Sequence, residues 1–442
     1  MKEQEFKVSI EYAREMDDAD VLSGFRDEFH IPEHQGKDVI YFCGNSLGLQ
    51  PRGVEQYISE ELEDWSIYGV EGHFHSRRPW FAYHTFFTES LARLVGAKNT
   101  EVVAMNTLTV NLHLQMLSFY RPTKQRYKIL MEAGAFPSDM YAVESQVRMH
   151  GFNPEDAIIE VAPRKGKHTI DQEDIAAAIK KNKSKLALVL FGGVNYYTGQ
   201  YFDLARISQL AHDAGAYVGF DLAHAVGNKI LHLHDWNIDF ACWCSYKYLN
   251  SGPGAVGGIF IHEKHAKRAD TFRLAGWWGH DENTRFKMKK GFKPMKTAES
   301  WQMSNAQVFN MAAHRASLDL FDQAGMDRLA EKSFRLTAYT EFLLRQIKHL
   351  QFEIITPQNP LERGCQLSLL FKQHGKSVFE LLQKNGVVAD WREPNVIRIA
   401  PVPMYNSFED VFRFYEVLKS MKTVSSAKKN TKKGTHRKAA GK

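Results

Sequence analysis

The chain has 442 residues, of which 44% are apolar and 24% are charged, so it can bury a substantial core and divide into two lobes. Its net charge is +6, but seven of its 57 basic residues lie in the last 18 positions, which leaves 50 basic against 51 acidic residues in the body. This neutral body argues against a nucleic-acid-binding scaffold, and the lack of about 18 consecutive apolar residues argues against a membrane-spanning helix.

The first predicted elements are a helical stretch, a short strand and a second helix. About the first 25 residues look helical, with the stretch DADVLSGFRDEF as the main indication. The strand in VIYFCGNSLGLQP ends in a glycine-containing turn that is closed by Pro51. The next stretch, GVEQYISEELEDWSIYG, has its apolar residues at helical spacing.

Residues 85–260 alternate between short apolar runs and helical patterns. The strand candidates are YKILME, AIIEVA, KLALVLFG, AYVGFDL and IDFACWCS, and the helical candidates between them include SDMYAVESQVRMHG and DLARISQLAHDAG. This alternation predicts a mainly parallel sheet with helices on both faces.

Helical patterns return from residue 305 to about 350, and CQLSLLF and VIRIAP then indicate strands of a smaller α+β lobe. We therefore expect an N-terminal segment (1–70) that contributes to a small domain, a large domain (71–304), a C-terminal small domain (305–424) and a disordered basic tail (425–442). The start, MKEQEFKVSI, lacks a signal-peptide pattern. With only four scattered cysteines, this indicates a cytoplasmic protein.

The stretch CWCSYKYLNSGPGAVGGIF places one lysine, Lys247, between two tyrosines and before a glycine-rich turn. The apolar runs on either side, 239–244 and 256–261, are typical of buried strands, so we expect Lys247 at a strand end. Burying a lysine cation is costly unless the ammonium is paired or takes part in chemistry. A Schiff base with an aldehyde cofactor is one such use, and a structural salt bridge is the alternative.

Other candidate residues follow the apolar runs of the same region. Ligands of open parallel sheets bind beyond the carboxyl ends of the strands, and Asp221 and Phe136 follow two of these runs. Asp221 can keep a pyridine nitrogen protonated, Phe136 can stack on the ring, and a helix start at Leu108 and Thr109 can bind a phosphate. Singly, Asp221 could be a helix cap and Phe136 a core residue. Together with Lys247 they indicate a phosphorylated pyridine aldehyde.

Eight segments resemble those of kynureninases, in the same order and at similar spacing: FCGNSLGLQP, VEGHF…RPW, LTVNLHLQMLSF, AFPSD, YVGFDLAHAVGN, WCSYKYLNSGPG, GWWGH and VIRIAPVPMYNSF. The resemblance covers about residues 35–420. It implies an α/β fold of the aspartate-aminotransferase-like class (pyridoxal-phosphate fold type I), with a mainly parallel sheet in the large domain and a smaller α+β domain. It also implies pyridoxal 5'-phosphate as the cofactor, no metal, and a homodimer with shared active sites.

The resemblance further implies a role for each matched position. Lys247 matches the Schiff-base lysine, and Tyr246 matches a phosphate-contacting tyrosine that is also a candidate proton donor or relay. The other matched cofactor-binding positions are Leu108, Thr109, Phe136, Pro137, Ser138, Asp139, Asp221, His224, Trp277 and Asn305, the last two expected from the neighbouring subunit. The substrate-binding positions are His73, Asn305 and Arg398, of which Arg398 is expected to hold the α-carboxylate.

One cofactor-binding position departs from the family pattern. Gly192 stands where the family often has a serine or threonine, so we expect water or backbone to replace a hydroxyl contact. The implied reaction is hydrolysis of the Cβ–Cγ bond of L-kynurenine, or of its 3-hydroxy form, to the aryl acid and L-alanine. The sequence leaves the preference between these substrates open.

Four alternatives remain at this stage. A cysteine desulfurase of the same fold would need a mobile nucleophilic cysteine, for which Cys365 is the candidate, although it opens a strand-like run. An aminotransferase would need a keto acid for turnover. The two histidines of LHLHD are a possible metal-ligand pair, but no third ligand is evident beside them. The basic tail could bind nucleic acid by counterion release.

Overall fold

The computed structural model describes residues 6–421. Its helices are α1 (Ile10–Asp18), α2 (Val54–Tyr68), α3 (Gly72–His75), α4 (Thr88–Val95), α5 (Leu108–Phe119), α6 (Pro137–Met149), α7 (Pro154–Ala157), α8 (Gln172–Asn182), α9 (Leu204–Asp213), α10 (Glu263–Ala266), α11 (Val308–Ala324), α12 (Met326–Leu344), α13 (Gly375–Lys384) and α14 (Phe408–Ser420). Short 3-10 helices span Ser23–Glu28, Gly69–Glu71, Trp80–Phe87, Asn99–Glu101, Arg285–Lys287, Ala298–Trp301 and Pro360–Glu362.

The strands are β1 (Phe29–His30), β2 (Glu33–His34), β3 (Lys37–Asp38), β4 (Ile40–Tyr41), β5 (Gln50–Pro51), β6 (Val102–Ala104), β7 (Lys128–Glu132), β8 (Ile158–Val161), β9 (Leu186–Gly192), β10 (Tyr217–Asp221), β11 (Phe240–Cys244), β12 (Gly257–Ile261), β13 (Phe352–Ile354), β14 (Leu367–Phe371), β15 (Val387–Val388), β16 (Asp390–Arg392) and β17 (Val396–Ile399).

A seven-stranded sheet forms the centre of the larger lobe. Its strand order is β6-β12-β11-β10-β9-β7-β8, and β8, β7, β9, β10 and β11 run parallel to one another. β12 is antiparallel to both β11 and β6. Two apolar clusters pack on the sheet, which explains why its strands are near-continuous apolar runs. This mixed, mainly parallel α/β sheet confirms the predicted fold class.

The smaller lobe is built from both ends of the described chain. Its four-stranded antiparallel sheet has the order β13-β14-β17-β16. β4 near the N-terminus pairs with β15, and Ala13, Met16 and Phe42 belong to the apolar core of this lobe. These contacts support the predicted contribution of the N-terminal segment to the small domain, although the boundaries at 70, 304 and 424 stay a prediction.

Most predicted elements lie where the sequence indicated, but the first helix is shorter than the predicted stretch of about 25 residues. The stretch DADVLSGFRDEF holds a turn and one 3-10 helix over Ser23–Glu28, whereas the α-helix, α1, ends where this stretch begins. The Ser9 hydroxyl caps α1 by accepting the Tyr12 N–H at 3.1 Å, a start signal that the sequence analysis missed. None of the helices within 6–421 is long and apolar enough to cross a membrane. The basic tail lies outside the described residues.

Candidate active site

The candidate active site lies at the carboxyl ends of the parallel strands. α5 begins at Leu108 after β6, the loop after β7 leads to Phe136, β9 ends at Gly192, β10 ends at Asp221, and β11 leads to Lys247. These elements enclose a cavity of about 230 Å³, which is lined by Thr107, Leu108, Thr109, Glu132, Phe136, Ser138, Asp139, Gly192, Val194, Tyr196, Asp221, Ala223, His224, Tyr246 and Lys247. The sheet topology thus brings ten of the predicted positions together.

Lys247 contacts a buried histidine. Its Nζ lies 3.0 Å from Nε2 of His224 and 5.7 Å from the centroid of the Phe136 ring. Burial, reinforced by the charge of Lys247, holds the pKa of His224 well below its ordinary value, so the ring is neutral. We assign Nε2 as the acceptor of a hydrogen bond from Lys247, which leaves the ring proton on Nδ1. Nδ1 is buried and has no partner among residues 6–421, so the site holds a spare donor.

Asp139 and Asp221 form a buried carboxyl pair in the same cavity. Burial, and then the charge of Asp221, raises the pKa of Asp139 well above its ordinary value. Asp139 is therefore protonated and hydrogen-bonds to Asp221, whose Oδ1 also accepts the Ala223 N–H at 2.7 Å. Burial also raises the pKa of Asp221, but Lys247 opposes this shift. The pair carries one negative charge, held on the side of Asp221.

Glu132 is a cavity residue that the sequence analysis missed. Glu132 is the last residue of β7, and both of its carboxyl oxygens accept the Gly192 N–H, at 3.1 and 3.0 Å. Burial, only partly opposed by this hydrogen bond, raises the pKa of Glu132 to about 7. A Cβ atom added at Gly192 would lie 2.9 Å from Oε1 of Glu132. The glycine thus leaves room for the Glu132 carboxyl group. The only feature of the sequence that could have indicated Glu132 as a site residue was its place at the end of an apolar run.

The start of α5 presents free backbone donors to the cavity. Thr107 is the residue before the helix, and its side chain makes no capping hydrogen bond. The first N–H groups of this twelve-residue helix, at Leu108 and Thr109, therefore lack the usual side-chain acceptor. A phosphate at this position would accept their hydrogen bonds and benefit from the helix dipole.

Tyr246 is half-buried beside these elements, and its hydroxyl contacts the Cys244 thiol. Burial, with the neighbouring Cys244, raises the pKa of Tyr246 above its ordinary value. The phenol is therefore protonated at neutral pH and can donate a hydrogen bond.

Arg398 is placed next to the cavity wall rather than in the lining. It lies on β17, is 1% exposed, and donates from Nη1 to the Tyr196 carbonyl at 2.6 Å and from Nη2 to Oδ2 of Asp390 at 2.7 Å. Its Nε has no partner within the described part of the chain. Because Tyr196 itself lines the cavity and packs edge-on against Phe136 at 5.2 Å, the guanidinium lies directly behind the ring-flanking wall.

Besides Arg398, four predicted positions do not line the cavity of a single chain. His73 contacts the Val70 carbonyl with Nδ1 at 3.0 Å and packs edge-on against Trp80. Trp277 is 48% exposed, and Asn305 is exposed as well. Pro137 is the first residue of α6, where its fixed backbone angle suits a helix start.

The buried state of Cys365 does not favour a desulfurase nucleophile. The residue is 0% exposed and precedes β14. Burial, partly opposed by a hydrogen bond with Tyr248, raises the pKa of the Cys365 thiol to about 12. A protonated, enclosed thiol is neither mobile nor nucleophilic.

Two further potential metal ligands, Glu101 and His262, lie beside one LHLHD histidine, His234, whereas the sequence showed no such ligand. His234 Nδ1 is 2.9 Å from Oε1 of Glu101, and His262 lies 3.7 Å from the same oxygen. However, Nδ1 of His262 already accepts the Lys264 N–H at 3.2 Å, and the two imidazole rings stack at 4.8 Å. Glu101 also accepts two backbone N–H groups. We interpret the cluster as a structural hydrogen-bond network.

The residues of the cavity fit pyridoxal phosphate. The uncapped start of α5 suits the phosphate, the charged Asp221 suits the ring nitrogen, and the spare donor of His224 and the amine of Lys247 suit the ring substituents.

Solved structures with a similar fold are consistent with this cofactor. A C-DES variant with glycine covalently linked to its pyridoxal-phosphate cofactor has a TM-score of 0.72 at 14% identity, over 86% of this chain and 96% of that chain. A cysteine desulfurase from Thermococcus onnurineus NA1 has a TM-score of 0.69 at 19% identity, over 86% and 94%. The fold is that of the type I pyridoxal-phosphate enzymes.

Sequence comparison defines the family within this class. Residues 329–418 match the profile described as "Kynureninase C-terminal domain". A kynureninase from Flavobacterium psychrophilum is 54% identical over 417 residues, which cover 94% of this chain and 98% of the relative. The chain belongs to the kynureninase family, whose members are pyridoxal-phosphate-dependent hydrolases of carbon–carbon bonds.

Proposed function

We propose that the chain hydrolyses the Cβ–Cγ bond of L-kynurenine, 3-hydroxy-L-kynurenine or both, and releases anthranilate or 3-hydroxyanthranilate together with L-alanine. This reaction belongs to the kynurenine pathway of tryptophan breakdown. The observation that carries the proposal is the meeting of Lys247, His224 and the Asp139–Asp221 pair in one cavity, in a chain of this family.

Lys247 is the residue that we propose moves protons at the substrate. Pyridoxal phosphate, when bound, supplies an aldehyde that condenses with amines and a ring that accepts electrons from the carbons next to that amine. Because neutral His224 accepts a hydrogen bond from Nζ, the lysine is held at a defined position when its amine is free to take a proton.

The Asp139–Asp221 pair fixes the charge next to the cofactor ring. Protonated Asp139 and the Ala223 N–H both donate to Asp221, so the orientation of this carboxylate is fixed on two sides. We propose that Asp221 holds a proton on the ring nitrogen, where a positive charge increases electron withdrawal.

Arg398 is the proposed ligand of the substrate α-carboxylate. A guanidinium can bind a carboxylate with two parallel hydrogen bonds, and a buried Nε without a partner is the donor that such a ligand would satisfy. Asp390 and the Tyr196 carbonyl each accept one N–H of a terminal nitrogen, so they position the guanidinium. These contacts use two of its five N–H donors, so Nε and a second hydrogen on a terminal nitrogen remain for the substrate carboxylate.

We further propose a homodimer in which Trp277 and Asn305 complete the site of the neighbouring subunit. Both side chains are exposed and outside the cavity of their own chain. A broad apolar surface on α2 and the following turns, which includes Trp65, Ile67 and Phe74, is also exposed. Exposed apolar side chains that are grouped in one region are typical of protein–protein interfaces. His73 and Asn305 are the candidates for contacts with the aryl ketone.

The cytoplasmic location stays a proposal. All four cysteines are free thiols in the structure, which supports a reducing compartment.

The decisive test uses the cofactor-loaded protein with L-kynurenine and with 3-hydroxy-L-kynurenine, and quantifies the aryl acid and alanine released. We expect product from at least one substrate and none from a Lys247→Ala variant. Cysteine and an amino acid with a keto acid serve as rival substrates. Sulfide release, or turnover that depends on the keto acid, without any aryl acid would replace the proposal by a desulfurase or an aminotransferase.

A further inference from the structure

A second cavity, of about 390 Å³, lies outside the active site, where α12 and the turn before β14 meet the segment that follows β10. Its walls include Tyr201, Lys229, Trp236, Phe334 and Arg363. We propose that this cavity binds a small aromatic monocarboxylate, held by the ammonium of Lys229 between aromatic and aliphatic walls.

Lys229 is a cation without a counter-charge. Its Nζ donates to the Arg363 carbonyl at 2.8 Å and lies 4.7 Å from the centroid of the Tyr201 ring. No carboxylate within 6–421 forms an ion pair with it, and two of its three N–H donors have no protein acceptor there. Burial, and then the nearby Arg363, lowers the pKa of Lys229 to about 8, which is the response of a cation that lacks an anion.

Arg363 adds a second positive charge to the same wall. Its side chain is 3% exposed, and Nη1 donates to Glu341 at 2.9 Å and to the Pro357 carbonyl at 3.1 Å. The same Glu341 carboxylate also pairs with Arg345, so one acid serves two arginines while Lys229 has none. In addition, Nε of Arg363 is buried without a partner in the described chain. An anion in the cavity would supply both the missing charge and the missing acceptor.

The rest of the lining selects the kind of anion. Tyr201, Trp236 and Phe334 provide ring faces, and Leu361 adds an aliphatic surface. Ligand pockets range from about 300 to 1,000 Å³, so a cavity of this size suits a single ring with one charged group. Inorganic phosphate would match the charge, but it would leave these apolar walls uncovered.

The cavity adjoins the active site through one segment of chain. Asn228, which precedes Lys229, donates to the His224 carbonyl at 2.9 Å and accepts the Cys365 N–H at 3.0 Å. Residues 221–229 thus carry Asp221 and His224 at one end and the proposed anion ligand at the other. The proposal does not depend on the proposed substrate, although the aryl acid of that reaction belongs to the same chemical class.

Calorimetric titration of the cofactor-loaded enzyme with benzoate tests the proposal. We expect a Lys229→Met variant to bind benzoate about tenfold or more weakly, because a charge-assisted hydrogen bond is lost. A Lys180→Met variant, changed at an exposed lysine of α8, should bind as the wild type does. Benzylamine, which reverses the charge, and inorganic phosphate should bind weakly. Anthranilate in a parallel titration shows whether the enzyme's own aryl acid or another aromatic acid is preferred.

Crystals grown with 4-iodobenzoate locate the site directly, since the iodine should give anomalous density between Tyr201 and Phe334. Unchanged benzoate affinity in Lys229→Met, phosphate binding as tight as that of benzoate, or iodine only in the active-site cavity would each overturn the proposal. If Lys229→Met fails to fold, Lys229→Gln removes the same charge and keeps the test available.

Discussion

The carboxyl group of Glu132 accepts a single backbone N–H, from Gly192, with both of its oxygens. Because its pKa is raised to about 7, the folded protein keeps a proton that the unfolded chain loses above its ordinary pKa of about 4.3. The unfolded state therefore binds fewer protons in this interval, and the free energy of unfolding falls as the pH rises from about 4.5 through 7.

A Glu132→Gln variant has no ionisable group at this position, so this contribution to the fall in its free energy of unfolding should be absent. We expect its stability relative to the wild type to rise between pH 5 and pH 8, by about 3 kcal/mol at most. Melting temperatures at the two pH values measure the effect, with the exposed Glu55→Gln on α2 as the matched control. A difference that does not change with pH would contradict the assignment of Glu132 as the titrating group.

Tyr246 permits a second prediction at this scale. If its protonated phenol donates or relays a proton to the substrate, Tyr246→Phe should lower kcat by about 10²- to 10⁴-fold and leave the cofactor dissociation constant within a few-fold of the wild-type value. A phosphate-binding role alone would weaken cofactor binding and leave the chemical step unaltered. Single-turnover rates at saturating cofactor, together with equilibrium dialysis of the cofactor, separate the two.

Asp221 and Glu132 are each the last residue of a strand, but the sequence indicated a site role only for Asp221. Asp221 and Lys247 carry the groups that a phosphorylated pyridine aldehyde requires, and parallel-strand geometry places both at one edge of the sheet. The role of Glu132 depends instead on β9, the neighbouring strand that brings Gly192 against it. Which strand lies next to which is set by tertiary packing, and local periodicity does not encode it.

On α11, His314 is buried and neutral. Its Nδ1 lies 2.6 Å from the Ser251 hydroxyl, its ring stacks on Phe87 at 5.8 Å, and burial lowers its pKa to about 3. The unfolded chain binds a proton at this histidine below about pH 6.5, whereas the folded protein does not until about pH 3. Stability should therefore fall as the pH drops through this interval.

A His314→Gln variant should lose much of that acid sensitivity. Between pH 7 and pH 4, the difference in unfolding free energy between the variant and the wild type should shift in favour of the variant by on the order of 3 kcal/mol. A pH-independent cost of repacking around the substituted side chain does not affect this shift. The exposed His75→Gln is the matched control. Parallel pH profiles of His314→Gln and the wild type would show that this histidine does not contribute.

The type of an element was predictable where its sequence was a continuous apolar run or had apolar residues at helical spacing. The continuous apolar runs of β7 to β11 and the helical spacing of α2 and α9 were placed to within a residue or two. The direction of β12 was not predicted. Its connection from β11 holds twelve residues without a helix, and a parallel partner usually requires a helical crossover. The glycine-rich loop after Lys247 therefore returns the chain antiparallel.

At the scale of the whole molecule, an ion pair joins the N-terminal segment to α12. Asp20 and Lys332 form a buried ion pair at 2.6 Å, in which both side chains are 6% exposed. Breaking such a pair leaves one buried charge uncompensated and costs about 3–5 kcal/mol. We expect Asp20→Asn to lower the melting temperature strongly, whereas adding Lys332→Met to it should recover much of the loss, because the unpaired ammonium is removed and the side-chain oxygen at position 20 still accepts the Leu22 N–H.

The proposed dimer can be tested with a mixed dimer of two variants, because the proposal assigns Lys247 and Asn305 of one site to different chains. Co-expression of Lys247→Ala and Asn305→Ala chains with two different tags allows the mixed dimer to be isolated. If the sites are shared, one site of this dimer collects both substitutions and the other collects neither, so about half of the wild-type activity should return. If each chain instead builds its own site, both sites carry one defect, and the mixed dimer should be no more active than the two parent variants. Product release measured on the doubly tagged fraction therefore decides whether Asn305 acts across the interface.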